Sequence, residues 1–148
     1  MPITFQHAIA VQQDPETAFA LVDDLARTPE WLERCTGIEN LTPGPNAVGS
    51  RLRYTFREGG RVGTMEGVIT ARVPNQHLAC RYDDKMMAVT VDFRMQRQGP
   101  GAQLVHTIEI TPKTFAGKLF SPLIRKQLPK QTIAAMEKLR ELLERGAA

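Results

Sequence analysis

Five runs of alternating apolar and polar residues, joined by four turn signals, fill the chain between Arg51 and Thr111. Alternation with a period of two is typical of antiparallel strands that bury one face. Gly59-Gly60 is the strongest turn signal, because two glycines tolerate the positive φ of a two-residue hairpin loop. Since a slip of one residue would turn a whole apolar row into water, the runs predict one curved sheet with an apolar face.

Counting outward from each turn predicts which residues face each other across neighbouring strands. The other turns used in the count are Pro74-Asn75, Asp84-Lys85 and the loop from Gln98 to Gly101. The expected pairs are Phe56 with Gly63, Tyr54 with Met65, Ile69 with Cys80, Ala71 with Leu78, Tyr82 with Met87, Cys80 with Val89, Phe93 with His106, and Val91 with Ile108.

The opposite face of this sheet carries charged and threonine side chains and is expected to face solvent. Arg53 with Glu66 and His77 with Asp92 form possible charge pairs there. Exposed cross-strand ion pairs contribute only about 0.2 to 1 kcal/mol each, so we expect both pairs to be structural rather than catalytic.

The segments before the sheet predict one strand, two short helices and a second strand. Phe5 to Val11 alternates as a strand, and Asp14-Pro15 supplies a helix cap followed by proline at the first helical position. Thr28-Pro29 repeats this device for a helix ending near Gly37, and a strand from Ile38 to Thr42 follows, with Cys35 just before it.

A long helix is predicted after the sheet. Its apolar stripe comprises Ile124, Leu128, Ala135, Met136, Leu139, Leu142 and Leu143. Ser121-Pro122 is a helix start, and Pro129 predicts a kink or a broken first segment from Thr114. The apolar face of the sheet is the surface large enough to receive this stripe.

Length and composition favour a single domain over residues 1–148. A chain of 148 residues buries roughly 70% of the surface that its unfolded form exposes, which suffices for one core without metal or disulfides. We expect Cys35 and Cys80 to be reduced core residues. Since the sequence has neither a span of membrane length nor a signal-peptide pattern at Met1 to Gln13, we expect a cytoplasmic protein.

Charge is distributed unevenly along the chain. Residues 1–112 carry 11 Lys and Arg against 13 Asp and Glu, whereas residues 113–148 carry 8 against 3. A basic helix could meet nucleic acid, acidic lipid or an acidic protein, but base-stacking aromatic residues are not interleaved with the cations. We therefore expect no nucleic-acid partner.

Several segments resemble those of a known superfamily. Asp14-Pro15-Glu16-Thr17-Ala18-Phe19 resembles the segment that opens its first helix, Pro29-Glu30-Trp31 resembles its second helix, and Val48-Gly49-Ser50-Arg51-Leu52 resembles the approach to its third strand. The chain is thereby similar, over nearly its whole length, to the START/Bet v 1-like (SRPBCC) superfamily, which includes polyketide cyclase/dehydrase-like proteins. The resemblance implies the α+β helix-grip fold, in which a curved antiparallel sheet of about seven strands wraps a long C-terminal helix, with two short helices between strands 1 and 2.

The resemblance also implies an apolar cavity between the sheet and the last helix, used by different members for lipids, hormones or polyketides. Typical cavities for such ligands measure about 300 to 1,000 Å³. We expect the ligand to contact inward-facing residues of the sheet and last helix, namely His7, Tyr54, Met65, Ile69, Cys80, Tyr82, Val89, Val91, Phe93, His106, Ile108, Leu128 and Met136.

His7 and His106 are the candidate catalytic residues, because the resembling fold pairs its first and last strands, and a register that sets residue 7 near residue 106 would bring them together. Two imidazoles in an apolar pocket could serve as general acid and base, with Tyr54 and Tyr82 holding a carbonyl. A core histidine more often bonds a backbone carbonyl or a buried water, and inward tyrosines often aim their hydroxyls at a cavity rim. Lining or ligand-orienting roles are therefore favoured.

Three functions remain open. The first is binding of a hydrophobic small molecule of the lipid, quinone or aromatic polyketide type, and the second is a cyclase or dehydratase that uses the two histidines. The third is a partner-regulating module that uses the basic C-terminal helix. Because the three histidines are far apart and the glycine pairs are hairpin turns, we expect neither a metal site nor a cofactor.

Overall fold

The computed structural model describes residues 2–58 and 60–146, and its centre is a seven-stranded antiparallel sheet. The strands are β1 (Ile3–Val11), β2 (Cys35–Asn40), β3 (Arg51–Glu58), β4 (Arg61–Val73), β5 (His77–Asp83), β6 (Met87–Gln98) and β7 (Gly101–Pro112). Their order is β1-β7-β6-β5-β4-β3-β2, so the first strand pairs with the last. The helices are α1 (Pro15–Asp23), a 3₁₀ helix (Leu25–Glu30), α2 (Phe115–Leu119) and α3 (Ser121–Gly146).

The long helix α3 packs on the inner face of this sheet and confirms the predicted helix-grip fold. Four residues of its stripe are almost fully buried, with relative exposures of 2% for Leu128, 0% for Met136 and Leu139, and 3% for Leu143. Burial of each such side chain contributes about 1.5–3 kcal/mol relative to an exposed one. This stripe is therefore a main attachment between the helix and the sheet.

The predicted register is confirmed for three strand pairs. The turn between β3 and β4 includes Gly60, whose φ is 82°, while Gly59 lies outside the described residues. His7 lies opposite His106, as expected from the pairing of the first and last strands. The other confirmed pairs are Phe56 with Gly63, Tyr54 with Met65, Phe93 with His106, and Val91 with Ile108.

A β-bulge corrects the register predicted between β4 and β5. Ile69 lies opposite Cys80 as expected, but the register shifts between Ile69 and Ala71, so Arg72 rather than Ala71 lies opposite Leu78. A bulge inserts one extra residue, and side chains beyond it change face. Arg72, expected on the solvent face, therefore turns toward α1.

The register between β5 and β6 differs from the prediction by two residues. Tyr82 lies opposite Val89 instead of Met87, and Cys80 lies opposite Val91 instead of Val89. The cause is a longer loop, in which the Asp84 carboxylate accepts hydrogen bonds from the backbone N–H groups of residues 86 and 87 at 2.7 and 2.9 Å. A shift of two keeps every side chain on its predicted face.

The first helix begins where the sequence predicts, whereas the second does not. The Asp14 carboxylate accepts a hydrogen bond from the Thr17 backbone N–H at 2.8 Å, and Pro15 is the first helical residue. The second helix is a 3₁₀ helix that starts at Leu25, before the predicted cap at Thr28, and ends long before Gly37. Its carbonyls bond three residues ahead, a geometry used in short connecting helices.

The second strand starts earlier than predicted. It begins at Cys35 and ends at Asn40, whereas Ile38 and Thr42 were the expected limits. A register shift between Cys35 and Gly37 lets Cys35 pair with Phe56, which extends the strand toward the 3₁₀ helix. Cys35 is consequently a strand residue.

The predicted break before the long helix is confirmed. Thr114 caps α2 by accepting a hydrogen bond from the Gly117 N–H at 3.0 Å, and α3 begins separately at Ser121. Pro129 lies within α3, which continues through it to residue 146. The break therefore lies near residue 120.

The two ends of the sheet are built differently. At the closed end, which includes the β1–α1, β2–β3 and β4–β5 connections, the Asp23 carboxylate binds the Arg72 guanidinium at 2.8 Å and Asn46 donates to Asp23. Burial raises the pKa of Asp23, but the hydrogen bonds from Arg72 and Asn46 outweigh it and leave this pKa below its ordinary value. The open end comprises the β3–β4 and β5–β6 connections, α2 and the start of α3.

We predict that Gly101→Ala destabilises the protein by about 1–3 kcal/mol. A Cβ at this position would lie 2.0 Å from the Val11 carbonyl oxygen, and a backbone atom cannot move aside as a flexible side chain can. Gly37→Ala is the matched control, because an added Cβ there meets no atom within 4 Å. Urea unfolding of both variants tests this, and equal midpoints would contradict it.

Candidate ligand-binding cavity

A cavity of about 220 Å³ lies between the inner face of the sheet, the 3₁₀ helix and α3. Its volume is below the range of about 300 to 1,000 Å³ expected for such sites. Its walls are mainly apolar because strands β3 to β7 direct alternate side chains inward and α3 covers them with its buried stripe. Polar contacts with a ligand can therefore come only from the few polar residues of the lining.

Most of the predicted ligand-contacting residues line this cavity. Those that do are Tyr54, Met65, Cys80, Tyr82, Val89, Val91, Phe93, His106, Ile108, Leu128 and Met136. The other two, His7 and Ile69, are not among the lining residues. Ile69 is fully buried in the core next to the β4 bulge, and His7 is half-buried on β1, where α3 packs, with its ring stacked on that of Phe5.

His106 is the histidine that lines the cavity. Its side chain is 8% exposed, its ring centroid lies 4.1 Å from that of Phe93, and its Nδ1 atom has no hydrogen-bond partner among the described residues. Burial lowers the pKa of His106 from 6.5 to about 4, an effect only partly opposed by Asp92. The ring is therefore neutral at pH 7 and offers one N–H donor and one acceptor.

Trp31 forms the neighbouring part of the wall. The sequence marked it only as part of the segment that resembles a second helix, yet it lines the cavity at 6% exposure and packs edge-on against Phe93 at 5.6 Å. Its Nε1 atom has no hydrogen-bond partner within the described parts of the chain. Trp31 and His106 thus flank Phe93, with ring centroids no more than about 10 Å apart, the sum of their distances to it.

Two tyrosines and a cysteine form a second polar group in the wall. The Tyr54 and Tyr82 ring centroids are 5.2 Å apart. Burial raises the pKa of Tyr82 well above its ordinary value, and burial raises the pKa of Cys80 to about 11. Because Tyr82 is only 5% exposed, its hydroxyl lies in the interior and not at a rim, and both groups are neutral near pH 7.

The mouth of the cavity was not predicted. Arg34, Asp84, Gln127 and Gln131 contribute to the lining at the open end, and each is half-buried or exposed. Arg34 lies just before β2, Asp84 lies in the β5–β6 loop, and the glutamines lie one turn apart on α3. Only the fold brings these three segments together, and no local pattern marks them.

The charged pairs on the outer face of the sheet do not belong to the cavity lining. The His77 Nε2 atom contacts the Asp92 carboxylate at 2.7 Å, and Arg53 pairs with Glu39 at 3.6 Å rather than with the predicted Glu66. Both carboxylates lie directly opposite Arg53, Glu39 on β2 and Glu66 on β4, and the guanidinium contacts Glu39. Within residues 2–58 and 60–146, no group of three His, Cys, Asp or Glu side chains could hold a metal ion, and none of the described helices is long and apolar enough for a membrane span.

Solved structures with this fold include several aromatase/cyclases. Zhui aromatase/cyclase from Streptomyces sp. R1128 matches with a TM-score of 0.81 at 16% identity, covering 100% of this chain and 97% of its own. A START superfamily protein from Mycobacterium smegmatis matches with a TM-score of 0.79 at 16% identity, covering 96% and 97%. The di-domain ARO/CYC protein BexL matches with a TM-score of 0.76 at 17% identity, covering 97% and 50%.

The chain spans about half the length of the di-domain structures BexL and StfQ. At these identities the likeness establishes the shared fold. A search of curated protein sequences finds no match. The family model described as polyketide cyclase/dehydrase and lipid transport matches residues 2–144, which is nearly the whole chain. The chain therefore belongs to the polyketide cyclase/dehydrase and lipid transport family.

Proposed function

We propose that this protein binds a hydrophobic small molecule of the lipid, quinone or aromatic polyketide type in the cavity between the sheet and α3. The observation that carries the proposal is the apolar cavity of about 220 Å³, open at one end of the sheet. Such a concave site with few polar groups is typical of small-molecule binding. A cytoplasmic location is also proposed, and the two buried, reduced cysteines favour it.

Two polar atoms in the wall suggest how a ligand is oriented. An unsatisfied buried donor or acceptor costs about 1–3 kcal/mol, so the Nε1 atom of Trp31 and the Nδ1 atom of His106 each favour a ligand that supplies a partner. A carbonyl or hydroxyl group near Phe93 would be such a partner, while the rest of the ligand contacts apolar walls. This favours an apolar ligand with a neutral oxygen over a pure hydrocarbon.

The second candidate function is a cyclase or dehydratase, which the aromatase/cyclase structures with this fold favour. The protonation states argue against it. A general base works best with a pKa near the working pH, whereas the pKa of His106 is about 4 and that of Tyr82 is raised well above its ordinary value. His7, the other candidate, does not line the cavity. Binding is thus favoured over catalysis.

We predict that Val91→Phe weakens ligand binding roughly tenfold or more, because its ring fills space that the ligand needs. Val91 lines the cavity, and Trp31, the single tryptophan of the chain, reports binding through its fluorescence. A fatty acid, a naphthoquinone and an anthraquinone are suitable titrants. Val62→Phe is the matched control, since Val62 is 63% exposed on the outer face.

Two outcomes of this titration would refute the binding proposal. One is the absence of any fluorescence or thermal-stability response to all three titrants. The other is an equal affinity of Val91→Phe and Val62→Phe for a titrant that binds the wild-type protein. The folded state of both variants is checked by their melting temperatures.

We predict that His106 makes the protein less stable in acid. Between pH 6.5 and about 4 the unfolded chain binds a proton at this histidine that the folded protein does not, so stability falls as the pH falls through this window. The full loss is about 3 kcal/mol of unfolding free energy. Urea unfolding at several pH values should show this loss in the wild type and in His77→Gln, but not in His106→Leu. Parallel curves for wild type and His106→Leu would contradict it.

We also predict that His106→Gln changes ligand affinity, and that neither the wild type nor this variant converts the ligand into a product. Incubation of wild type and variant with a linear aromatic-polyketide analogue, followed by mass spectrometry, distinguishes the two functions. A cyclised or dehydrated product formed by the wild type and lost in His106→Gln would favour the enzyme over the binding protein.

A further inference from the structure

Four large apolar side chains are exposed together at the open end of the sheet. Phe115 is 77% exposed, Leu119 64%, Phe120 55% and Leu123 50%. They lie within nine consecutive residues that span α2 and the first turn of α3. Clustered exposed apolar residues, unlike scattered ones, mark an interaction surface. We call these four residues the apolar patch.

The conformation of α2 directs these side chains outward. Its buried residue is Gly117, where an added Cβ would lie 2.9 Å from the Met86 carbonyl oxygen. The backbone N–H of Lys113 donates to the same carbonyl at 2.8 Å, and Thr114 caps the helix. The helix therefore packs on the β5–β6 loop through Gly117. This packing leaves the large side chains of the helix facing away from the core.

Cations precede, interrupt and follow the apolar patch along the chain. Residues 113–136 include five Lys or Arg and no Asp or Glu. Lys113 pairs with Asp83 at 2.8 Å. The other four are exposed and, among the residues that the structure describes, form no ion pair: Lys118, Arg125, Lys126 and Lys130. The segment thus combines large apolar side chains with an uncompensated positive charge.

The patch adjoins the mouth of the cavity. Ile124 and Gln127 line the cavity and follow Phe120 and Leu123 within one or two turns of α3. The backbone N–H of Ile124 donates to the Phe120 carbonyl at 3.0 Å, which fixes the patch relative to the lining. A surface that receives the patch would therefore lie next to the opening.

We propose that the apolar patch and its cations dock on the surface of an anionic lipid bilayer and present the cavity mouth to it. Aromatic and aliphatic side chains beside lysines are the composition of interfacial membrane-binding segments, in which the apolar groups enter the acyl boundary and the cations contact lipid phosphates. An acidic protein is the competing partner, but the patch residues are 50–77% exposed and project from α2 and the start of α3. A bilayer accommodates such projecting side chains without needing a complementary groove.

Flotation of the full chain with vesicles tests this proposal. The vesicles consist of phosphatidylcholine with or without phosphatidylglycerol, and no cavity ligand is added, so the result is independent of the proposed function. We expect binding to the anionic vesicles that weakens as salt is raised. Leu119→Ser with Phe120→Ser should lower the partition coefficient roughly tenfold or more. Lys118→Gln should lower it about fivefold.

Matched variants separate docking from adsorption by net charge. Lys138→Gln removes the same charge from α3 outside the patch, and Val62→Ser removes an exposed apolar side chain from the sheet; we expect both to bind as the wild type does. Equal losses in Lys118→Gln and Lys138→Gln, or no effect of the Leu119 and Phe120 changes, would overturn the proposal. So would failure to bind anionic vesicles at low salt, or retention by a polyglutamate column without binding to vesicles.

Discussion

The contact of α3 with only part of the sheet is the constraint on which the cavity depends. Leu128 forms one apolar cluster with Ile3, Ile108 and Ile110, while Met136 and Leu139 join the main core. These contacts hold the helix above the sheet, and the 3₁₀ helix with Trp31 supports the opposite wall. The cavity of about 220 Å³ lies between these two supports. Residues such as Phe93 and Met136 belong both to its lining and to the main core, so the packing that stabilises the fold also sets the shape of the cavity.

The fold could be predicted from the sequence because the patterns that indicate its strands and helices are local and occur repeatedly. Alternation and turn residues determine strand pairs such as Phe93 with His106, and the caps at Asp14 and Thr114 mark helix starts. The errors arise where a side chain binds backbone N–H groups within a loop, or where a β-bulge changes the face of the side chains that follow it. No local pattern marks the bulge before Arg72, and the Asp84 carboxylate stabilises a longer loop than the Asp84-Lys85 turn signal predicts.

The candidate site was predictable in its walls but not at its mouth or in its chemistry. Inward positions such as Tyr82 and Val91 follow from the alternation of side chains along a strand, and a register shift of two residues leaves each side chain on the same face. Arg34, Asp84 and Gln127 come from three segments that meet only in the folded protein. Burial lowers the pKa of His106 and raises the pKa of Tyr82 and Cys80, so the interior carries no charge near neutral pH while the mouth does. Sequence alone could place these groups but could not supply their degree of burial.

The ion pair between Asp23 and Arg72, supported by Asn46, has a consequence for how salt acts on the protein. It joins α1 to the end of β4 through side chains that are only 19% and 24% exposed. Dissolved ions screen such a partly buried pair less than they screen pairs on the open surface, such as Arg27 with Glu30. The first helix should therefore stay anchored to the sheet at ionic strengths that weaken the surface pairs.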